Sequence, residues 1–376
     1  MSNNPSFVLR AVEDVAYEER PVPETVADTE VLVAIKKTGI CGSDVHYLVH
    51  GRIGDFIVKD PMVLGHESAG VITKVGSKVK HVKVGDRVAV EPGSTCRVCD
   101  ACKSGRYNLC PDIIFAATPP YDGTLTRYYR VLGDLTYPLP ENLSLEDGAM
   151  MEPLSVGVHS VSNLGNFRFG QSIAVFGCGP VGLLCMAVAK ALGAKRIIAA
   201  DIVPSRLDFA KTYVGAIPYQ PLSMNKDESR PDYSRRNAEN MKKTLGIDDR
   251  GTNAIDLVID ASGAEVSIQT GLYVVGTGGI MVQVGMGNPN IQIDMAQLMT
   301  KEVALKGSFR YTQGDYPQAI ALVSQGKIDL KPLVTHRYKF DEAIVAFQAT
   351  RSGKSDDGKA VIKAIISGPD VSPQDL

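Results

Sequence analysis

The amino-acid sequence predicts two joined architectures, a β-rich domain and a doubly wound α/β domain built on a parallel sheet. Three observations carry that expectation. The chain has 376 residues, more than one ordinary hydrophobic core accommodates. Up to about residue 150 it holds short apolar runs punctuated by glycine, the pattern of strands and tight turns. From Gly170 to about Gly285 strand-like apolar runs instead alternate with helical patterns, the signature of βαβ units.

In the β-rich part, Val31–Ile35, Gly70–Gly76 and Gly85–Val90 read as strands, the last two flanked by turn residues. In the second part, Ile173–Phe176 is short and wholly apolar, as a strand covered on both faces must be. Pro180–Leu192 follows as a helix with Val181, Leu184, Val188 and Leu192 along one face. Ile197–Ala200, Leu257–Ile259 and Ile280–Val284 supply further strands. Residues 222–250 are polar and charge-rich and read as an exposed insertion. The composition changes again after about residue 297, and the tail from Gly368 to Leu376 reads as disordered.

Composition narrows the function classes. Apolar residues make up 44% and charged residues 22% of the chain, as in a soluble globular protein. A formal charge of -2 argues against nucleic acid as a partner, which calls for clustered Lys and Arg. No apolar run reaches bilayer-spanning length, so no membrane partner is expected. Met1–Pro5 has neither the basic head nor the apolar stretch of a secretory signal, and a cytoplasmic location is expected.

Gly177-Cys178-Gly179-Pro180-Val181-Gly182 fits G-x-G-x-x-G between a predicted strand and a predicted helix. The first glycine makes the tight turn, the second admits the pyrophosphate, and the third lets helix and strand pack closely. The helix N-terminus offers unpaired N–H groups to the anion. Asp201 ends the next strand, where an acid accepts hydrogen bonds from the adenosine ribose and repels a 2′-phosphate, so NAD is expected over NADP. Arg206 is the counter-argument, since an arginine there could receive that phosphate. Cys178 and Cys185 read as small apolar residues.

Four of the seven cysteines, Cys96, Cys99, Cys102 and Cys110, form C-x-x-C-x-x-C with a fourth eight residues on. Four thiolates on one loop can close a tetrahedron around a structural zinc; free thiols or two disulfides suit such regular spacing less well. A second constellation suits catalysis: Cys41, the pair His66-Glu67, and Glu152. One thiolate, one imidazole and one carboxylate would leave a coordination place open, and Asp44 is suited to hold the far nitrogen of His66. No periodicity joins these distant positions.

These residues resemble the zinc-dependent medium-chain dehydrogenases, and within them the polyol branch of sorbitol and xylitol dehydrogenases. The likeness runs from Thr38-Gly39-Ile40-Cys41-Gly42-Ser43-Asp44 to Thr335-His336-Arg337-Tyr338. Lys59-Asp60-Pro61-Met62-Val63-Leu64-Gly65-His66-Glu67 and Glu152-Pro153-Leu154-Ser155-Val156-Gly157-Val158-His159 are its most specific stretches. The resemblance implies a GroES-like β-rich catalytic domain from both chain ends (1–155 and 297–376) around a Rossmann NAD domain (156–296). It implies that Cys41, His66 and Glu67 hold the catalytic zinc. Glu152 would be a further ligand or bind the zinc's water, at a position where the family's alcohol dehydrogenases place a cysteine.

By the same resemblance, Tyr47, Phe115, Glu152, Arg310 and Tyr311 line the polyol site. Val284, Gly285 and Met286, with Ser308, Phe309 and Arg310, meet the nicotinamide end, and Ile202 and Arg206 lie beside Asp201 near the adenosine. Ser43 would take the substrate proton and His46 pass it outward through the cofactor ribose. The implied reaction is reversible oxidation of xylitol to D-xylulose, with sorbitol or arabinitol as the alternative substrate, by a homotetramer. A non-catalytic, zinc-stabilised NAD-binding sensor is the rival reading from another class.

Overall fold

The computed structural model describes residues 3–24 and 26–372. The chain divides into two compact units, Met1–Glu152 with Thr312–Leu376, and Pro153–Tyr311.

The first unit is built on a seven-stranded sheet. Its central strand, Glu30–Gly39, pairs antiparallel with Glu67–Val75, Tyr128–Leu132 and Lys363–Ser367. Arg87–Val90 and Thr136–Pro138 extend one side, and Val334–Tyr338 the other. Val31, Val33 and Ile35, alternate residues on one face of the central strand, pack with Ile72, Val88 and Val90, while Ile40, just past its end, joins Phe7, Leu64, Phe347 and Ile366. The C-terminal strand completes a sheet begun some three hundred residues earlier. A buried ion network reinforces that closure: Arg337 donates to both oxygens of Glu146 at 2.9 and 2.8 Å, with Lys37 at 3.6 Å.

The second unit is a six-stranded, wholly parallel sheet. Across it lie Ile217–Tyr219, Arg196–Ala200, Ser172–Phe176, Ile255–Asp260, Val275–Gln283 and Ala304–Gly307. The first strand of this unit, Ser172–Phe176, is central, and the order reverses beside it. Such a switch point opens a crevice at the carboxyl ends of the strands. Ile173, Ala174, Val175 and Phe176 are each at most 2% exposed, because helices cover both faces.

Three expectations change. Residues 222–250 are no exposed insertion. Arg230–Leu245 is the crossover helix between two strands, capped by Ser229 and closed by Gly246 at φ 61°. It packs on the helix Glu265–Val274, with Ala238 and Met241 buried in the sheet's core. The signal was masked because its inward stripe is partly polar: buried Asn237 accepts hydrogen bonds from Tyr219 Oη at 2.8 Å and Leu222 N at 3.0 Å. The return to the first unit comes at Thr312 and not at 297, since Ala304–Gly307 is still a strand of the parallel sheet. The disorder expected from Gly368 does not begin there, since Gly368 N donates to Lys36 O at 2.8 Å; residues 373–376 lie outside the described residues. No helix among the described residues is long and apolar enough to cross a membrane.

Candidate active site and dinucleotide site

Cys41 ends the turn after the strand Glu30–Gly39 and caps the helix Gly42–His50. His66 and Glu67 stand at the start of the neighbouring strand. Asp44, 1% exposed, ties the two segments together. Its Oδ2 accepts from Cys41 N at 3.1 Å and its Oδ1 from Gly65 N at 2.9 Å. The same carboxylate faces His66 Nδ1 at 3.4 Å, leaving Nε2 for a metal. One ligand atom each from Cys41, His66 and Glu67 lie within 4.8 Å of one another. Glu67 Oε2 is buried, paired with the Lys363 ammonium as an ion pair but making no hydrogen bond. A thiolate, an imidazole and a carboxylate fit zinc.

Burial works against a charged His66, but the Asp44 carboxylate and the Cys41 sulfur outweigh it and hold the imidazole well above its ordinary value. A metal must displace that proton, so its hold weakens as pH falls. Tyr47 and Phe115 are buried in the same unit, the Phe115 ring 5.9 Å from that of His66. Glu152 is buried on the helix Leu145–Val158 and is not part of the clustered triad; its charge is felt at Lys363, which contacts Glu67. Ser43 is half-buried and His46 exposed on the Cys41 helix.

The cysteine quartet also assembles. Cys96, Cys99, Cys102 and Cys110 are unbridged, with sulfurs within 4.8 Å of one another. Backbone N–H groups point at the sulfurs, Cys99 N at Cys96 Sγ (3.3 Å) and Cys96 N at Cys110 Sγ (3.4 Å). Those of Val98 and Cys99 pull the Cys96 thiol down to about 7, while at Cys99 the pull of the Cys102 N–H is outweighed by burial and the neighbouring thiols, which push it up to about 11; a zinc must displace the protons that the quartet holds.

In the parallel-sheet unit, Gly177 turns at φ 94°. A Cβ on Gly182 would stand 1.9 Å from the Gly177 carbonyl, whereas one on Gly179 meets no protein atom within 4 Å. The third glycine is therefore a packing requirement, and the second faces open space at the N-terminus of the helix Pro180–Ala191, where a pyrophosphate fits. Val181 begins that helix beside Pro180. Asp201 is 7% exposed; its oxygens accept from Cys178 N at 2.7 Å and Val203 N at 2.8 Å, which aims the carboxylate and leaves lone pairs for a ribose. Ile202 and Arg206 beside it are exposed.

Val284 N and Gly285 N both donate to Asp260 O at 2.9 Å, and Met286 follows, 62% exposed. Ser308 N donates to Gln283 O at 2.8 Å and Ser308 Oγ meets Ser160 Oγ at 3.0 Å. Arg310 lies over the Phe309 ring at 4.6 Å, and Tyr311 is buried. These residues gather at the carboxyl edge of the parallel sheet. Arg310 and Tyr311 thus belong to the second unit, and Tyr47, Phe115 and Glu152 to the first.

Comparison with known proteins agrees with this architecture. Residues 27–141 match the alcohol dehydrogenase GroES-like domain, and residues 180–325 the zinc-binding dehydrogenase domain. D-xylulose reductase A of Aspergillus niger is 51% identical over 98% of both chains. The chain belongs to the zinc-binding dehydrogenase family. Among solved structures, L-idonate 5-dehydrogenase of Escherichia coli aligns with TM-score 0.83 and 30% identity over 97% of this chain and 98% of that one. An Escherichia coli alcohol dehydrogenase complexed with NADH aligns with TM-score 0.84 and 26% identity, over 98% and 100% respectively. The dehydrogenase is thus an oxidoreductase with a GroES-like unit and a Rossmann unit.

Some residues that shape the dehydrogenase's sites carried no sequence signal. Lys363 and Gly39 flank Glu67 from strands far apart in the chain. Glu91 is wholly buried and anchors the cysteine lobe, accepting hydrogen bonds from Tyr107 Oη at 2.6 Å and Tyr137 Oη at 2.7 Å. Burial raises its carboxyl from 4.5 to about 7, against the pull of the two phenols. Between those values the folded chain binds more protons than the unfolded one, so this group's contribution to stability falls as pH rises through the window, by about 3 kcal/mol. Glu91→Gln carries no charge at any pH. Its stability relative to the native protein should therefore improve by up to that amount between pH 4.5 and 8 in urea titrations. An equal difference at both ends of the range excludes the assignment.

Proposed function

We propose that this dehydrogenase reversibly oxidises xylitol to D-xylulose with NAD, using a zinc held by Cys41, His66 and Glu67. The convergence of those three buried or half-buried donors carries the reading, and the identity to the Aspergillus niger D-xylulose reductase supports the substrate. When bound, zinc supplies Lewis acidity that makes a substrate hydroxyl acidic, and nicotinamide accepts the hydride. Asp44 fixes the His66 ring. Tyr47, Phe115, Glu152, Arg310 and Tyr311 select a chain of hydroxyls, because a site built for hydrogen bonds rejects analogues that leave its buried polar groups unpaired. Sorbitol and arabinitol are the alternative substrates.

Gly177, Gly179 and Gly182 with Pro180 and Val181 receive the pyrophosphate, and Asp201 takes the ribose and favours NAD over NADP. Ile202 and Arg206 line the adenosine side; Val284, Gly285, Met286, Ser308, Phe309 and Arg310 line the nicotinamide side. A second zinc in the quartet is structural and suits a reducing cytoplasm. Assembly into a homotetramer would use the open edge strand Ala304–Gly307. Elemental analysis for zinc, with initial rates on xylitol, sorbitol and arabinitol under NAD and NADP, tests the reading. Zinc-free protein with undiminished turnover overturns it, and absence of turnover on every polyol returns the sensor reading.

Ser43 and His46 form the outward proton path. His46→Ala should slow oxidation by roughly 10²-fold at low pH and progressively less as pH rises, since hydroxide then takes the proton directly. Equal loss across the pH–rate profile removes His46 from the path.

A further inference from the structure

Lys363 opens the strand Lys363–Ser367, 296 residues after Glu67, and is only 3% exposed. Its Nζ donates to Glu67 Oε1 at 2.6 Å and to the Ile40 carbonyl at 3.0 Å. One ammonium therefore grips the carboxylate of one candidate ligand and the backbone just before another, Cys41. The other oxygen, Glu67 Oε2, touches the same ammonium as an ion pair but has no hydrogen-bond partner. Gly39 faces it from the adjoining strand, paired with Glu67 on one side and Ile365 on the other. A Cβ at Gly39 would stand 2.2 Å from Oε2. The carboxylate keeps its place only because position 39 has no side chain.

A carboxylate beside a metal can offer one oxygen or both. If both bind, the coordination place that catalysis needs is filled. Partners behind the ligands decide such choices, and here the Lys363 ammonium spans both oxygens, on the face a metal would need to bind the two together, while Gly39 leaves room for Oε2.

We propose that Lys363 and Gly39 are positioning residues that restrict Glu67 to a single metal-facing oxygen and so keep one coordination place open. The inference rests on Cys41, His66 and Glu67 being the metal ligands.

The test uses the full-length chain with cobalt(II) in the catalytic site. The readouts are the cobalt ligand-field spectrum and the rate of metal release to a chelator, neither of which needs turnover. Lys363→Met and Gly39→Ala should each shift the bands and lower their intensity severalfold, as the freed or displaced carboxylate changes the coordination number. Lys363→Arg should restore the native spectrum. In a Glu67→Gln background, Lys363→Met should add no further change. Native spectra and native release rates in both Lys363→Met and Gly39→Ala overturn the proposal. So does a shift that persists undiminished in the Glu67→Gln background. If Lys363→Met does not fold, Gly39→Ala decides alone, and a native spectrum there overturns the proposal. Failure of the native chain to bind cobalt at Cys41 and His66 would instead reject the ligand assignment beneath it.

Discussion

Cys41→Ser should lower kcat/KM for the polyol by at least ~10³-fold, about 4 kcal/mol of transition-state stabilisation, the scale expected of a Lewis-acid metal. Serine keeps the size of the side chain but replaces a soft thiolate with a poorly ionised hydroxyl, a weak zinc ligand. Two metal-type clusters are present among the described residues, so zinc content should fall by one equivalent and the quartet's zinc should remain. The fold should persist, because Cys41 is only half-buried and the helix it begins is still capped through Asp44, which accepts from the backbone N–H at position 41. Metal analysis, activity and thermal unfolding on one preparation check all three parts. A Cys41→Ser protein that holds two zinc ions and turns over normally would refute the ligand assignment.

Cys102→Ser should do the reverse. The quartet closes a metal site on the lobe Cys96–Cys110, whose own secondary structure is one short helix, Asp100–Lys103, and a single 3-10 turn, Tyr107–Leu109. So little regular structure cannot bury enough apolar surface to order itself, and metal binding supplies the missing free energy. Losing the fourth thiolate should release that zinc and cost on the order of 3–5 kcal/mol of apparent stability by linkage. The remaining ties include the Tyr107–Glu91 hydrogen bond, the Arg97–Asp134 ion pair, and the contacts of Thr312 and Gln313 with the Gly105 carbonyl. Turnover per catalytic zinc should stay within a few-fold of native at low temperature, because the triad lies outside the lobe. An unchanged unfolding midpoint with one zinc lost would mean that those protein contacts alone hold the lobe.

The two substitutions separate what the metals do. One should remove chemistry and spare the fold, the other remove stability and spare the chemistry. Neither outcome depends on which polyol is preferred, so both remain informative if sorbitol proves the better substrate.

Local patterns were legible from the residues. Gly177, Gly179 and Gly182 announced their turn because each answers to a steric demand within a few residues. Spacing alone nominated Cys96, Cys99, Cys102 and Cys110, since four sulfurs on one short loop cannot be far apart. The strands at Val31, Ile173 and Leu257 were plain from apolar runs. The helix Arg230–Leu245 was not, because its buried stripe includes Ser234 and Asn237, polar residues whose partners lie on other elements. The strand Ala304–Gly307 was missed for a related reason: on the sheet edge it stays largely exposed and lacks the apolar run of its neighbours.

The catalytic cluster divides along the same line. Cys41, Asp44, His66, Glu67 and Glu152 could be named as residue types able to bind metal, and the family resemblance joined them. That Cys41, His66 and Glu67 converge depends on how the central sheet registers its strands.

The residue order by itself determined the dinucleotide turn, the cysteine lobe and the two-part architecture, because each is written in neighbours close along the chain. Only the folded chain decided that Lys363 and Gly39 flank Glu67. That contact joins positions 296 residues apart, and it exists because a C-terminal strand pairs with Glu30–Gly39. Pairing of that kind is selected by the burial of whole sheet faces, a quantity no short stretch of sequence contains.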